Sequence, residues 1–109
     1  DIGEQIMYII KESLNNIRKH AQAHQVFIEM TATVAAISVQ IKDDGLGFDV
    51  MTYQKNPVGL GLNIMQERAK EINGELIIES STGQGTTINL HVPCMKGDIV
   101  NGNESYAGR

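Results

Sequence analysis

The sequence predicts an α/β sandwich, in which helices cover one face of a mixed, mostly antiparallel sheet. Two observations support this prediction: apolar residues recur at helical spacing in two segments, and four shorter segments have the composition of strands. The elements follow one another as helix, strand, strand, loop, helix, strand, strand. Because strict strand–helix–strand alternation is absent, a doubly wound parallel sheet is not expected.

The first three elements are predicted from apolar spacing. Residues 4 to about 21 form an amphipathic helix, in which the apolar stripe runs through Leu14. Residues 26–31 and 37–41 are strands, and the second alternates cleanly, with its three β-branched apolar residues on one face. The loop that follows is predicted over residues 43–58, which contain two glycines and a proline.

The second half of the domain is predicted to contain one helix followed by two strands. A helix is predicted from residue 61 to residue 73, where Asn73 and the glycine after it favour a left-handed end. Strands at 75–80 and 86–92 follow, joined by a short glycine-containing turn. The domain is expected to span residues 1–94. Residues 95–109, rich in glycine, asparagine and charge, are expected to form a flexible tail.

Size and charge indicate one acidic domain. The 109 residues carry a formal charge of −4, which argues against non-specific binding to nucleic acid or to an anionic membrane. A phosphate-bearing ligand would therefore be held by local cations, a metal ion and backbone N–H groups. The single cysteine cannot form an internal disulfide, which suits a reducing compartment, so the expected location is cytoplasmic.

Polar side chains share one ridge of the first helix. At about 100° per residue, Glu12, Asn16 and Lys19 lie within about 60° of one direction, and His20 lies at the edge of that face. A carboxylate, an amide and an ammonium group on one ridge can polarise water, ligate a hard cation and neutralise phosphate. A solvated helix face explains the same pattern, so the helix alone leaves both interpretations open.

The loop after the second strand offers a carboxylate next to two glycines. Asp44 can accept a hydrogen bond from an exocyclic amine, while Gly45 and Gly47 allow the backbone to approach a flat ligand. A turn stabilised by the aspartate side chain is the alternative, since Asp-Gly is common in turns.

Two further glycine-containing segments lie at element ends. The second helix begins at the segment Gly59, Leu60, Gly61 and Leu62. Free backbone N–H groups at such a helix start can bind an anion. A simple hinge would also explain the two glycines. A hairpin precedes Thr86, whose hydroxyl can reach a ligand beside the aspartate.

In their order and spacing, these four segments resemble the N, G1, G2 and G3 boxes of the Bergerat ATPase family. That family includes histidine-kinase catalytic domains, DNA gyrase B, Hsp90 chaperones and MutL. The resemblance covers roughly residues 6–93. Within the family, residues 12–21 and the Met-Gln-Glu-Arg segment at 65–68 look like sensor kinases related to nitrate and membrane-fluidity sensors.

The resemblance implies roles for the polar ridge of the first helix. Asn16 matches the residue that ligates the Mg²⁺ bridging the phosphates of ATP. Lys19 and His20 match residues that face the phosphates. Glu12 matches a polar position one turn earlier, so Glu12, Asn16 and Lys19 are the expected catalytic residues.

The resemblance also implies a nucleotide-binding set. Asp44 matches the carboxylate that recognises the adenine amino group, with Gly45 and Gly47 beside it. The segment from Gly59 to Leu62 matches the hinge of the lid that closes over ATP, and Thr86 matches a hydroxyl near adenine.

The function implied is that of the ATP–Mg²⁺-binding catalytic domain of a two-component sensor histidine kinase. Such a domain donates the γ-phosphate to a histidine on a separate dimerisation domain, and a response regulator acts afterwards. His20, His24 and His91 lack the setting of that acceptor, so the isolated domain is expected to bind nucleotide and to transfer phosphate poorly. No nucleic acid and no membrane contact are expected for this domain.

The sequence leaves two alternatives open. One is an ATPase or an anti-sigma-factor-type serine kinase of the same fold, in which Glu12 would activate water. The other is a degenerate interaction module that keeps the fold and binds no nucleotide. The intact Asn16, Asp44 and paired glycines speak against the degenerate module.

Overall fold

The computed structural model describes residues 1–55 and 59–94. Its elements are α1 (Ile2–Asn16), a π-helical turn (Ile17–Ala21), β1 (Val26–Ala32), β2 (Ala36–Asp43), α2 (Val50–Lys55), α3 (Leu62–Glu71), β3 (Glu75–Ser80) and β4 (Thr86–Pro93). The four strands form one sheet in the order β1-β2-β4-β3, and each neighbouring pair is antiparallel. The helices α1 and α3 pack on one face of this sheet, which confirms the predicted α/β sandwich.

The hydrophobic core lies between that face of the sheet and the two long helices. It consists of thirteen buried apolar residues: Ile6, Ile9, Ile10, Val39, Ile41, Leu62, Met65, Ala69, Ile72, Leu76, Ile88, Leu90 and Val92. In β2 and β4 the buried positions alternate with exposed or half-buried ones, as a strand with one covered face requires. Burial of each large side chain contributes about 1.5–3 kcal/mol, so the core fixes the register of these strands.

The helix α1 begins at a capping box. The Asp1 side chain accepts a hydrogen bond from the backbone N–H of Glu4 at 2.9 Å, and Glu4 reciprocates. The buried face differs from the stripe predicted through Leu14, which is 37% exposed. Ser13 is fully buried instead, and its hydroxyl donates to the carbonyl of Ile9 at 2.7 Å, which removes the cost of burying it.

A short helix interrupts the segment that was predicted to be a loop. The helix α2 (Val50–Lys55) is preceded by Asp49, whose Oδ1 accepts from the backbone N–H groups of Met51 at 3.0 Å and Thr52 at 3.2 Å. This is the bonding of an N-cap residue. The prediction of a loop over 43–58 was wrong over Val50–Lys55, where the Asp49 cap begins a helix, and residues 56–58 lie outside the described residues.

The second long helix matches its prediction. Leu62, Met65, Ala69 and Ile72 are buried, and Asn73 adopts the left-handed conformation with φ of 57°. The predicted tail over residues 95–109 lies outside the described residues. Within the described part of the chain, no helix is long and apolar enough to cross a membrane.

Candidate functional site

A cleft opens between α1, the π-helical turn and one end of the sheet. It contains about 560 Å³ of space not filled by atoms, part of which is open to solvent. The residues that line it are Ser13, Asn16, Ile17, His20, Ala21, Ile41, Asp43, Gly47, Phe48, Leu60, Leu62, Thr86 and Ile88. All four segments that the sequence singled out therefore contribute to a single cleft.

A buried carboxylate lies at the floor of this cleft. Asp43 ends β2 at the inward position that follows Val39 and Ile41, and it is only 4% exposed. Its Oδ1 accepts from the backbone N–H of Gly45 at 2.8 Å. Among the described residues no other hydrogen bond reaches this carboxylate, so its second oxygen is available to a donor from the cleft. A buried acceptor of this kind needs such a partner.

Asp44, which was predicted from the sequence to accept a hydrogen bond from the ligand, does not line the cleft. Its side chain is exposed, and its Oδ1 accepts from the backbone N–H groups of His24 at 2.8 Å and Gln25 at 3.0 Å. These bonds, that from Gln25 first, hold the pKa of the Asp44 carboxyl below its ordinary value. Asp44 therefore ties the connection between the π-helical turn and β1 to the loop after β2.

The π-helical turn carries the basic residues of the first helix. His20 lines the cleft, whereas Lys19 is exposed. The carbonyl of Ala21 accepts from the backbone N–H of Leu46 at 2.7 Å. Gly45 lies so close to that carbonyl that a Cβ would collide with it, which explains the glycine. Such turns often occur at functional sites, and this one is fixed against the loop after β2.

The entrance to α3 is tied to the cleft on two sides. The Asn16 side-chain amide donates from Nδ2 to the carbonyl of Leu60 at 2.8 Å. The backbone N–H of Leu62 donates to the hydroxyl of Tyr53 at 3.2 Å. Gly61 between them has φ of 66°, in the left-handed region that favours glycine. The segment predicted to be a hinge is therefore held by α1 and by α2.

The start of β4 contributes Thr86 to the lining of the cleft. Thr86 is the register partner of Asp43, so their side chains lie on the same face of the sheet. The Oγ1 atom of Thr86 lies 2.8 Å from the Oγ atom of Ser80 at the end of β3. Around Asp43 and Thr86 the lining of the cleft is apolar, formed by Ile41, Ile88 and Phe48. A flat ligand that carries one or more N–H donors at its edge suits such a cleft.

The structure brings together part of the predicted set. The predicted residues that line the cleft are Asn16, His20, Gly47, Leu60, Leu62 and Thr86. The other predicted residues do not line it: Glu12, Lys19, Asp44, Gly45, Gly59 and Gly61. Among these, the Glu12 carboxylate lies beside the hinge, 3.9 Å from the point where a Cβ on Gly61 would be. Asp43, which was not selected from the sequence, also lines the cleft and is buried.

The capacity of the site for a metal rests on few protein ligands. Within the described residues there is no group of three or more His, Cys, Asp or Glu side chains arranged to hold a metal ion. Because Nδ2 of Asn16 donates to Leu60, its Oδ1 is left as an acceptor at the cleft. One amide oxygen beside a phosphate group is the environment that Mg²⁺ accepts, since it keeps several waters and prefers oxygen ligands. The residues present thus fit Mg²⁺ held jointly with phosphates.

Comparison with protein-family models gives one match over almost the whole described chain. Residues 2–96 match the model described as histidine kinase-, DNA gyrase B-, and HSP90-like ATPase. Among curated proteins, the signal transduction histidine-protein kinase/phosphatase DegS of Brevibacillus brevis is 36% identical over 85 residues, which are 78% of this chain and 22% of that protein. The sensor histidine kinase YdfH of Bacillus subtilis is 37% identical over 92 residues, covering 84% of this chain and 23% of that protein. The chain thus spans less than a quarter of the length of these relatives.

Solved structures match the fold. The histidine kinase domain from the blue-light activated histidine kinase EL346 of Erythrobacter litoralis superposes with a TM-score of 0.68 at 24% identity, covering 82% of this chain and 43% of that one. The histidine kinase AdeS of Acinetobacter baumannii superposes with a TM-score of 0.68 at 15% identity, covering 83% of this chain and 46% of that one. At such low identity the similarity concerns the fold alone.

Proposed function

Because the chain belongs to the histidine kinase-, DNA gyrase B-, and HSP90-like ATPase family, we propose that it is the ATP-binding catalytic domain of a sensor histidine kinase. In this proposal it presents the γ-phosphate of ATP to a histidine on a separate dimerisation domain, in the cytoplasm, and a response regulator receives the phosphoryl group afterwards. The observation that carries the proposal is the convergence of four separate segments on one cleft with a buried carboxylate at its floor.

The adenine base is proposed to bind between the apolar walls of the cleft. Its exocyclic amine would donate to the free oxygen of Asp43, and the hydroxyl of Thr86 lies beside that carboxylate. The ring would pack against Ile41, Ile88 and Phe48. We assign the recognition of the amine to Asp43 rather than Asp44, because the Asp44 carboxylate is exposed and engaged by two backbone N–H groups.

The phosphates are proposed to lie toward Asn16 and the start of α3. Asn16 would present Oδ1 to Mg²⁺ while its Nδ2 continues to hold the carbonyl of Leu60. Mg²⁺, when bound there, would neutralise charge on the phosphates. The beginning of α3 would favour an anion, because the helix dipole is positive there, while the N–H of Leu62 is held by the hydroxyl of Tyr53.

Glu12, Lys19 and His20 complete the proposed phosphate end of the site. The exposed ammonium of Lys19 and the ring of His20 lie on the π-helical turn, one turn after Asn16, where a donor can contact phosphate oxygens. Glu12 lies one turn before Asn16, beside the hinge, and would orient the attacking nucleophile or accept its proton. Catalysis in such a site rests on positioning and charge neutralisation, as phosphoryl transfer generally does.

The proposal is tested by nucleotide titration followed by phosphoryl transfer. A fluorescent ATP analogue is titrated into the chain with and without Mg²⁺, and unlabelled ATP and ADP are added as competitors. We expect saturable binding that both competitors displace and that Mg²⁺ strengthens. The chain is then mixed with a dimerisation segment from a homologous sensor kinase, and acid-labile phosphate on histidine is measured. Steady hydrolysis of ATP without an acceptor would favour an ATPase instead, and absence of binding at millimolar nucleotide would refute the proposal.

A further inference from the structure

The hydroxyl of Ser80 has a complete set of hydrogen bonds. It donates to the carbonyl of Gly85 at 3.0 Å. It accepts from the backbone N–H of Phe48 at 2.8 Å, and the hydroxyl of Thr86 lies at 2.8 Å from it. A serine hydroxyl has one proton to donate and two lone pairs. Once that proton is directed at Gly85, both lone pairs are left for the N–H of Phe48 and for Thr86.

This arrangement fixes the direction of the bond between the two hydroxyls. The carbonyl of Gly85 can only accept, so the arrangement that satisfies it uses the single proton of Ser80. In that arrangement Thr86 supplies the proton between the two hydroxyl oxygens. The proton of Thr86 is therefore turned away from the cleft that Thr86 lines. What Thr86 offers to a ligand is an oxygen with a free lone pair, which makes it an acceptor.

We propose that Ser80 is a positioning residue that sets base selectivity, by holding the Thr86 hydroxyl as a second acceptor beside the Asp43 carboxylate. The proposal rests on the proposed function, since it supposes that a purine base occupies the cleft. It extends that function from the binding of ATP to the rejection of GTP, and it gives Ser80 a role although Ser80 does not line the cleft.

The chemistry of the two purines explains the expected selectivity. Adenine has an exocyclic amine, a donor, at the position where guanine has a carbonyl oxygen, an acceptor. Two acceptors at the cleft floor satisfy the two protons of the adenine amine. Guanine bound in the same pose would place its carbonyl oxygen against lone pairs on both sides. A threonine hydroxyl that is free to rotate would turn its proton toward that carbonyl and relieve part of the conflict. Ser80 disfavours this rotation, because the rotation would break the 2.8 Å hydrogen bond between the two hydroxyls.

The test compares the dissociation constants of ATP and GTP for Ser80→Ala with those of the parent chain, by competition against a fluorescent nucleotide. We expect the preference for ATP over GTP to fall by about 3- to 10-fold, the equivalent of one neutral hydrogen bond. Ser80→Thr keeps a hydroxyl at this position and is expected to restore the preference. Ser81→Ala, which removes the neighbouring exposed hydroxyl, is the matched control and should leave the preference at the parental value.

A second variant separates selectivity from general damage to the site. In a Thr86→Val background, adding Ser80→Ala should change the ratio of the two constants by less than about 2-fold, because the hydroxyl on which Ser80 acts is gone. Equal weakening of ATP and GTP by Ser80→Ala, with the ratio unchanged, would overturn the inference and leave the proposed function intact. If the parent chain binds neither nucleotide, the proposed function itself fails.

Discussion

Replacement of Asp43 by asparagine is a sharp test of how the cleft recognises its ligand. In the parent, one carboxylate oxygen accepts from the N–H of Gly45, and the other is available to the ligand. Asparagine can keep the bond to Gly45 through Oδ1, which turns its NH₂ group toward the cleft. The ligand amine then faces a donor where it had met a charged acceptor.

The magnitude follows from the burial and charge of this group. Asp43 is 4% exposed, so water does not replace the lost acceptor. A hydrogen bond to a charged group contributes about 1.5–3 kcal/mol, which corresponds to a loss of roughly 10- to 150-fold in ATP affinity. Because the bond to Gly45 is retained, the thermal midpoint of the variant should remain close to that of the parent.

The assay is competition by ATP against a fluorescent analogue at fixed Mg²⁺, with a thermal melt of each variant. Asp44→Asn is the matched control, since the amide oxygen of asparagine can still accept from His24 and Gln25. We expect its ATP affinity to lie within about 2-fold of the parent, as for a surface change away from the site. If Asp44→Asn loses affinity and Asp43→Asn does not, the assignment of the two carboxylates is reversed.

Three further predictions concern the frame around the cleft. Gly45→Ala should lower stability by about 1–3 kcal/mol in a thermal melt, because its Cβ would collide with the backbone carbonyl of Ala21. The control Gly3→Ala has room for its Cβ and should cause no loss. Equal melting midpoints for the two variants would contradict the close packing at Gly45. Asn16→Ala removes the amide oxygen proposed to face Mg²⁺ together with the donor to Leu60, so we expect Mg²⁺ to strengthen nucleotide binding less than in the parent, and an unchanged Mg²⁺ effect in titrations would exclude this role. The folded-state pKa of Asp44 lies below its ordinary value, so its ionised form stabilises the fold at neutral pH and that contribution is lost on acidification. Between about pH 5 and about pH 3 the melting midpoint of Asp44→Asn should therefore fall less than that of the parent, and parallel curves would refute this.

The fold was readable from the sequence because its elements obey simple periodicities. The boundaries of β3 were predicted to the residue, and those of the other strands to within two residues. The prediction of which α1 face is buried was less accurate, because apolar spacing favoured Leu14, whereas the structure buries Ser13. Ser13 is buried only because its hydroxyl can bond within its own helix, which spacing does not reveal.

The sequence predicted which four segments contribute to the cleft. It selected Asp44, whereas the aspartate that lines the cleft is its neighbour Asp43. The alternation of Ile37, Val39 and Ile41 extends directly to Asp43, so the strand pattern itself indicated which of the two aspartates points inward. The bonds from His24 and Gln25 to Asp44 could not be read from the sequence, because they join residues about twenty positions apart in irregular backbone. The hydrogen bonds of Ser80 likewise depend on how β3, β4 and the loop after β2 meet.

Binding of ATP to the chain itself tests the central claim most directly. Isothermal titration of the parent chain with ATP and Mg²⁺ should give one saturable site, and the same titration of Asp43→Asn should show affinity reduced by roughly 10-fold or more. A parent chain that takes up no ATP at millimolar concentration would contradict the claim that this cleft is a nucleotide site.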